Sequence, residues 1–274
     1  MKLLKTLLVT LALASMVGCT TTSTKKGTVG IKREQLLLIS SAEINQGGKQ
    51  AYAAVLKEAK ENKTLNKDAA LVKRVRAIAD RIIPQTAVFR PDAPKWEWEV
   101  NVIASEELNA WCMPGGKIAF YTGIINKLKL TDAEIAAIMG HEIAHALREH
   151  GRERASEQTL TQAGLSAISI FTGMPSIAQD MTALAVNVTL TLPNSRTHEV
   201  EADRMGVELA ARAGYNPFAA VNVWKKMGQE SKGGNPPEIL STHPTHKNRI
   251  KDLNRYAKRV EPLFKAAMKA RTQR

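Results

Sequence analysis

Two residue types are scarce in this chain, and their scarcity limits how it can be stabilised. There are only two cysteines among 274 residues, and the first, Cys19, ends an export signal described below. Cys112 is then left without a partner, so no intramolecular disulfide is expected. Aromatic residues make up only 5% of the chain, but 44% hydrophobic and 24% charged residues are ordinary values for a globular protein. We therefore expect one large domain with a packed core.

The chain also lacks an uninterrupted apolar stretch long enough to cross a membrane. Its amino terminus has two lysines followed by an apolar run at residues 7–17, which is shorter than the roughly 20 residues that a bilayer requires and is typical of an export signal. The small residues before Cys19 resemble the cleavage site of bacterial lipoproteins. This resemblance implies removal of residues 1–18, lipidation of Cys19 and, because Thr20 rather than Asp follows, attachment to the outer membrane facing the periplasm. A secreted protein with an unmodified Cys19 is the alternative.

Composition divides the rest of the chain into three parts. Residues 19–33 are rich in Thr, Ser, Lys and Gly, which predicts a flexible tether. Residues 34–256 predict the folded domain, and residues 257–274 a basic C-terminal tail. The net charge is +13, and its concentration near the carboxyl terminus favours contact with anionic lipid head groups or acidic partners, or a solvated helix. Nucleic acid is not an expected partner, because the chain is exported and carries no nucleic-acid-binding motif.

Periodicity within the domain predicts mostly helices. Gly47-Gly48 predicts a break between two helical segments, and the interrupted apolar residues 163–192 predict a buried helical hairpin rather than a membrane segment. Strands are predicted only at residues 96–104 and 117–122. The fold class is therefore mainly α with a small β-sheet (α+β).

The stretch His141-Glu142-Ile143-Ala144-His145 has the spacing of a helical zinc site. Thr131 and Glu134 form a capping-box pattern that begins an apolar-periodic helix. Histidines four residues apart project from one face, so both can hold one Zn²⁺, and the intervening Glu142 can act as general base. The bare pattern also occurs by chance on amphipathic helices, so a third ligand has to decide.

The nearest downstream candidates do not supply that ligand. A metzincin needs His six residues after His145, and that position is Gly151, which excludes the class. His150 is predicted to lie on the apolar side of the helix, about 140° from the metal-facing direction, and to be structural.

A second helix, near residues 195–210, offers carboxylates. Glu199 and Asp203 share a face with small residues that allow close approach to the first helix. We predict Glu199 as the third ligand and Asp203 as the carboxylate that orients a ligand imidazole. Glu201, on the opposite face, and His198 are competing ligands.

The two motifs together resemble the HExxH zinc metallopeptidase family of the CAAX prenyl protease and the heat-shock protease HtpX (gluzincin type), in particular its periplasmic lipoprotein members. The resemblance covers about residues 34–256 and includes the Asn-Ala and Pro-Gly-Gly elements of residues 109–116. It implies a zincin-like domain with one Zn²⁺ per chain, and it matches Glu199 to the family's ligand.

In zinc peptidases of this kind, an edge strand beside the metal pairs with the extended substrate. Trp111, Met113 and Gly115 precede the predicted metal helix and are our candidates for this substrate edge. A plain turn with Trp111 in the core is the alternative, and Cys112 is expected to be a small buried side chain rather than a ligand.

His243, in the stretch Ser-Thr-His-Pro-Thr-His, is a further candidate for the active site. Pro244 restricts its backbone to an extended conformation that could aim the ring at the metal. It would then act as an oxyanion donor or as a fourth ligand in a resting state. An N-terminal cap for a helix starting near Thr245 is the alternative.

These observations predict a membrane-tethered zinc endopeptidase that hydrolyses unfolded or misfolded cell-envelope proteins in quality control. An envelope assembly factor or chaperone with little proteolysis, and a hydrolase of cell-wall peptides, are the alternative functions.

Overall fold

The computed structural model describes residues 20–172, 180–232, 237–245 and 248–273, and the predicted signal peptide and Cys19 lie outside them. The predicted fold class, mainly α with a small β-sheet, is confirmed. The helices are α1 Ser41–Glu61, α2 Ala69–Ile82, α3 Thr122–Lys127, α4 Asp132–Leu147, α5 His150–Thr172, α6 Met181–Val186, α7 Arg196–Arg212, α8 Ala219–Lys232, α9 Ile239–Thr242 and α10 Arg249–Thr272. Short 3₁₀-helices, Ile83–Val88 and Ala93–Lys95, follow α2, and a π-helix, Asn187–Thr191, follows α6. The strands are β1 Thr20–Thr21, β2 Gln35–Leu36, β3 Glu99–Ile103, β4 Ala110–Met113 and β5 Lys117–Tyr121.

The main sheet has three strands in the order β3-β5-β4, with β3 parallel and β4 antiparallel to β5. Strands β3 and β5 correspond to the two predicted ones. Strand β4 was not predicted as a strand, because its four residues are all buried and show no alternation of polar and apolar side chains. It lies at the edge of this sheet.

Helix α4 forms the centre of the core, and α7 crosses it at two glycines. A Cβ on Gly140 would lie 2.7 Å from the carbonyl oxygen of Gly206, and one on Gly206 would lie 2.6 Å from the backbone nitrogen of His141. The two backbones therefore touch, as the small residues of the second helix predicted. The capping box of Thr131 and Glu134 begins α4 as expected.

Helix α1 continues without a break through Gly47 and Gly48, contrary to the prediction of two segments. Each glycine lies against backbone: a Cβ would be 2.5 Å from the carbonyl oxygen of Met181 at Gly47 and 2.9 Å from that of Pro114 at Gly48. Close packing, rather than a helix end, explains the pair.

Residues 20–37, which we call the N-terminal strap, are packed onto the domain, so the prediction of a flexible tether at residues 19–33 is wrong over the described residues. Strand β1 pairs with β2, and Val29 and Ile31 are buried. The backbone N–H groups of Thr28 and Val29 donate to the carboxylate of Glu208 on α7, at 3.1 and 2.9 Å. Apolar burial and a buried carboxylate anchor hold this segment in place despite its polar composition.

The predicted boundary at residue 257 is also wrong, because α10 runs from Arg249 to Thr272 across it. Ala257 and Val260 are fully buried, and the side chains after them become exposed. Within the described residues, no helix combines the length and hydropathy that a bilayer crossing requires. The predicted hairpin at residues 163–192 is described only in part, because residues 173–179 lie outside the described ranges.

Candidate metal centre and active site

Four side chains from three parts of the chain converge beside α4. His141 and His145 come from α4, Glu199 from α7 and His243 from the end of α9. His145 Nε2 lies 3.1 Å from His141 Nε2, and His243 Nδ1 lies 3.2 Å from His141 Nε2 and 3.0 Å from Glu199 Oε1. All four are buried, and their ligand atoms lie within 4.8 Å of one another. We call them the ligand quartet.

The quartet fits a zinc ion. Imidazole nitrogen and carboxylate oxygen are ordinary zinc ligands, and bonds of about 2.0–2.1 Å in a tetrahedron place neighbouring ligand atoms roughly 3.3 Å apart. The neighbouring contacts within the quartet run from 3.0 to 3.5 Å. Three imidazoles and one carboxylate at this spacing would repel or leave donors unmatched without a cation, so the geometry is that of a metal site.

Burial and the neighbouring members of the quartet determine which of its side chains are charged. Burial alone would raise the pKa of Glu199, but the neighbouring His243 and His141 hold it well below its usual range. Burial lowers the pKa of His145 well below its usual value. The carboxylate is therefore ionised and His145 is neutral, which are the forms that bind a metal.

Glu142 lies next to His141 on the same face of α4. Its Oε1 is buried without a hydrogen bond and lies 3.5 Å from Nε2 of His243. Burial raises the pKa of this carboxyl group above its usual value, which makes the carboxylate a stronger base.

Asp203, the residue predicted to orient a ligand imidazole, lies next to His141. Its Oδ1 is 3.0 Å from His141 Nδ1. Arg249, at the start of α10, places Nη2 2.8 Å from both Asp203 Oδ1 and Glu199 Oε2, and its guanidinium stacks on Trp224 at 3.3 Å. Sequence reasoning missed Arg249, because a single arginine in a basic run gives no signal of burial.

Glu201 and His198, the competing ligands, lie outside the quartet. Glu201 accepts from Arg148 on the far side of α7, and His198 Nε2 lies 3.2 Å from Glu153. His150 contacts the quartet, contrary to its predicted place on the apolar side of the helix: its Nδ1 is 2.9 Å from His145 Nδ1. Helix α4 ends at Leu147 and Glu149 has a left-handed backbone (φ 51°), so the angular register used for the prediction does not extend to His150.

Two of the three substrate-edge candidates, Trp111 and Met113, lie on β4, and their side chains are on the same face of the strand. Trp111 and Met113 point away from α4 into a cluster with α1, where Trp111 contacts Tyr52 edge-to-face. Cys112 faces the site and lines a cavity of ≈ 30 Å³ together with Pro114, Glu142, His145 and His243. Burial raises the pKa of the Cys112 thiol, and it is not part of the quartet. Gly115 forms the following turn with positive φ.

The cavity admits little more than water in this conformation. His243, which occupies one side of it, is not an N-terminal cap, because the next helix begins only at Arg249 after Asn248. Its backbone N–H instead ends α9 by donating to Ile239, at 2.8 Å.

Comparison with known proteins identifies related sequences. The model of Peptidase family M48 matches residues 69–257. The mitochondrial metalloendopeptidase OMA1 of Arabidopsis thaliana is 41% identical over 157 residues, which are 57% of this chain and 31% of that protein. The Bos taurus metalloendopeptidase OMA1 is 34% identical over 235 residues, 81% of this chain and 44% of the relative.

A bacterial relative also matches. The beta-barrel assembly-enhancing protease of Escherichia coli is 28% identical over 185 residues, which are 64% of this chain and 38% of that protein. The chain thus spans less than half the length of each of these three relatives.

Proposed function

The chain belongs to peptidase family M48, and we propose that it is a membrane-tethered zinc endopeptidase that cleaves unfolded or misassembled proteins of the bacterial cell envelope. The observation that carries this proposal is the ligand quartet with Glu142 beside it: a buried group of metal ligands next to a carboxylate without a hydrogen-bond partner at one oxygen. Peptide hydrolysis by a metal needs both parts.

In this proposal His141, His145 and Glu199 hold the metal, and Asp203 orients His141 through its Nδ1. Bound zinc supplies positive charge that polarises the scissile carbonyl and makes water easier to deprotonate. Glu142 accepts the proton of the attacking water and delivers it to the nitrogen of the leaving amine. The raised pKa of Glu142 suits both transfers, because a stronger base becomes a usable acid once it is protonated.

His243 serves in the proposal as a fourth ligand that closes the resting site. Its Nδ1 meets Glu199 and His141 at the distances that separate the other quartet members. A catalytic zinc site keeps one coordination position for water or substrate, so a fourth protein ligand has to leave before hydrolysis begins. The small cavity beside the quartet agrees with such a resting state.

The proposed location and substrates are supported by the N-terminal sequence and by one relative. The lysines, apolar run and Cys19 have the order of a lipoprotein signal. The name of the Escherichia coli relative connects that protease with assembly of β-barrels, which supports envelope proteins as substrates. The plant and bovine relatives are mitochondrial, so the envelope location depends on the amino-terminal segment.

A protease assay that compares the wild type with Glu142→Gln, in which an amide replaces the carboxylate, tests the activity. The wild type is expected to degrade casein, and Glu142→Gln is expected to bind zinc equally but lose turnover. Equal casein degradation by both proteins would contradict the role of Glu142.

The small size of the cavity beside the quartet gives a second candidate some support, namely an assembly factor that binds clients and rarely cuts. It predicts client capture by the wild type and Glu142→Gln alike, without casein cleavage by either. Cleavage of muropeptides but not of proteins would instead identify a cell-wall hydrolase.

A further inference from the structure

A chain of buried polar groups leads away from His145 on the side opposite the metal position. His145 Nδ1 lies 2.9 Å from Nδ1 of His150. His150 Nε2 lies 3.0 Å from Oε2 of Glu201. His150 is fully buried and Glu201 is 5% exposed, so water does not compete for these hydrogen bonds.

The carboxylate at the end fixes where each proton lies. A carboxylate only accepts, so the hydrogen on His150 lies at Nε2 and points at Glu201. Its Nδ1 then carries a lone pair and accepts from Nδ1–H of His145. The buried Arg148, which donates to the same carboxylate at 3.1 Å, disfavours a second positive charge on His150. His145 is left with the lone pair on Nε2, the atom that belongs to the quartet.

We propose that His150 and Glu201 are positioning residues for the metal ligand His145, and that Arg33 of the N-terminal strap holds Glu201 in place. The inference rests on the proposed zinc-peptidase function. It assigns roles to two side chains that do not touch the metal position and to one that lies outside the stretch matched by the family, residues 69–257. Partners of this kind raise the basicity of a ligand imidazole and fix its orientation.

Arg33 is bonded to two buried carboxylates at once. Its Nε and Nη2 donate to Glu201 at 3.0 and 3.1 Å, and its Nη1 and Nη2 donate to Glu153 at 2.5 and 2.9 Å. The guanidinium groups of Arg33 and Arg148 thus neutralise the carboxylates of Glu201 and Glu153 near His150. Without the strap, Glu201 would keep Arg148 but lose Arg33, which is one of its two positively charged partners. It would also lose the hydrogen bonds that orient it towards His150.

The same region contains a second set of potential metal ligands, namely His150, Glu153 and His198. An ion there would compete with Arg33 for both oxygens of Glu153, and both nitrogens of His150 already have partners at 2.9 and 3.0 Å. The guanidinium of Arg33, which is paired with both oxygens of Glu153, disfavours a second cation beside this carboxylate. We therefore interpret this set as part of the hydrogen-bonded support of His145.

Zinc affinity, measured by competition with a chelator on the folded full chain, tests the positioning role. His150→Leu removes the acceptor for His145 and is expected to weaken zinc binding about 10–100-fold. The amide of His150→Gln supplies one acceptor and one donor in place of the two ring nitrogens. This variant is expected to regain most of the lost zinc affinity. Visible spectra of the cobalt-substituted protein should shift for His150→Leu and return towards wild type for His150→Gln.

A pair of carboxylate variants gives a matched control. Glu201 and Glu208 are both buried on α7 and both bind the strap, but only Glu201 contacts His150. Glu201→Gln is expected to weaken zinc binding, whereas Glu208→Gln should keep the wild-type affinity. This comparison decides the question even where His150→Leu does not fold.

Zinc affinity within twofold of wild type in folded His150→Leu, or equal losses in Glu201→Gln and Glu208→Gln, would overturn the proposal. An equal loss in His150→Gln and His150→Leu would do the same, because it would indicate a packing role. If the variants show the expected zinc affinities but the wild type does not cleave casein, the positioning role is supported. Only the proposed peptidase activity is then overturned.

Discussion

Gly206 and His141 touch through their backbones: a Cβ at Gly206 would lie 2.6 Å from the nitrogen of His141. This contact joins the two helices that carry Glu199 and the histidine pair. Since backbone cannot turn aside as a side chain can, the contact fixes how far the carboxylate ligand stands from the imidazoles. The spacing of the quartet therefore depends on a residue without a side chain.

Gly206→Ala is expected to separate α7 from α4 and to lower the free energy of unfolding by about 2–3 kcal/mol, as for an overpacked core. Zinc affinity should fall with it, because Glu199 moves relative to His141. The measurements are denaturant unfolding and zinc competition.

Gly228 on α8 is the control, since a Cβ there meets nothing within 4 Å. Gly228→Ala should raise stability by about 0.5–1 kcal/mol through its helix propensity. Normal zinc binding by a folded Gly206→Ala would show that the contact does not set the ligand geometry.

Features of the site that depend on local periodicity could be predicted from the sequence. The histidine pair and Glu142 follow from helical spacing and a capping box, and Glu199 was separated from Glu201 by the face it occupies. The family, the metallopeptidase class and the zinc cofactor were predicted from these motifs and are confirmed. The assigned roles of the individual residues remain predictions.

Features that depend on distant contacts could not be predicted. Arg249 is buried and Arg33 is half-buried, and each is paired with a carboxylate far away in the chain. Arginines usually lie at the surface, so the sequence gives no sign of such partners. His150 was misplaced because helix α4 ends before it. Gly47-Gly48 appeared to be a break because their close packing against Met181 and Pro114 is a tertiary effect.

Protonation of Glu153 at acid pH should weaken the attachment of the N-terminal strap to the domain. Burial raises its pKa, but hydrogen bonds from Arg33, His198 and Gln35 outweigh burial and lower the pKa from 4.5 to about 2. A pKa that is lower in the folded than in the unfolded state stabilises the protein above the unfolded value. That contribution, about 3 kcal/mol, is lost as the pH falls from 4.5 to about 2.

Wild type and Glu153→Gln should therefore differ in unfolding free energy near neutral pH, and this difference should shrink below pH 4.5 and become small near pH 2. Unfolding in the presence of a chelator removes zinc release from the comparison. Glu61→Gln, at an exposed site on α1, should follow the wild type throughout. A gap between wild type and Glu153→Gln that stays constant down to pH 2 would refute this assignment.

Cys19→Ala should release the protein from membranes without changing its stability. Cys19 directly precedes β1, whose pairing with β2 uses backbone groups that any residue provides. Lipid would thus hold the folded domain close to the membrane surface. Fractionation of cells and the melting temperature of the released protein test both parts, and a Cys19→Ala protein that remains in the membrane fraction would rule out lipid anchoring at this residue.

His243→Ala distinguishes the two active-site roles of His243 by the sign of its effect. As a fourth ligand, His243 blocks the position that water needs, so its removal should raise casein turnover severalfold while His141, His145 and Glu199 retain one zinc per chain.

As an oxyanion donor, by contrast, its removal should cut turnover by about 10²-fold or more. Thr242→Val changes a buried neighbour in the same turn without touching the quartet, and should leave turnover unchanged. The contacts of His243 Nδ1 with His141 and Glu199 favour the rise. Unchanged zinc content, turnover and KM in His243→Ala would exclude both roles.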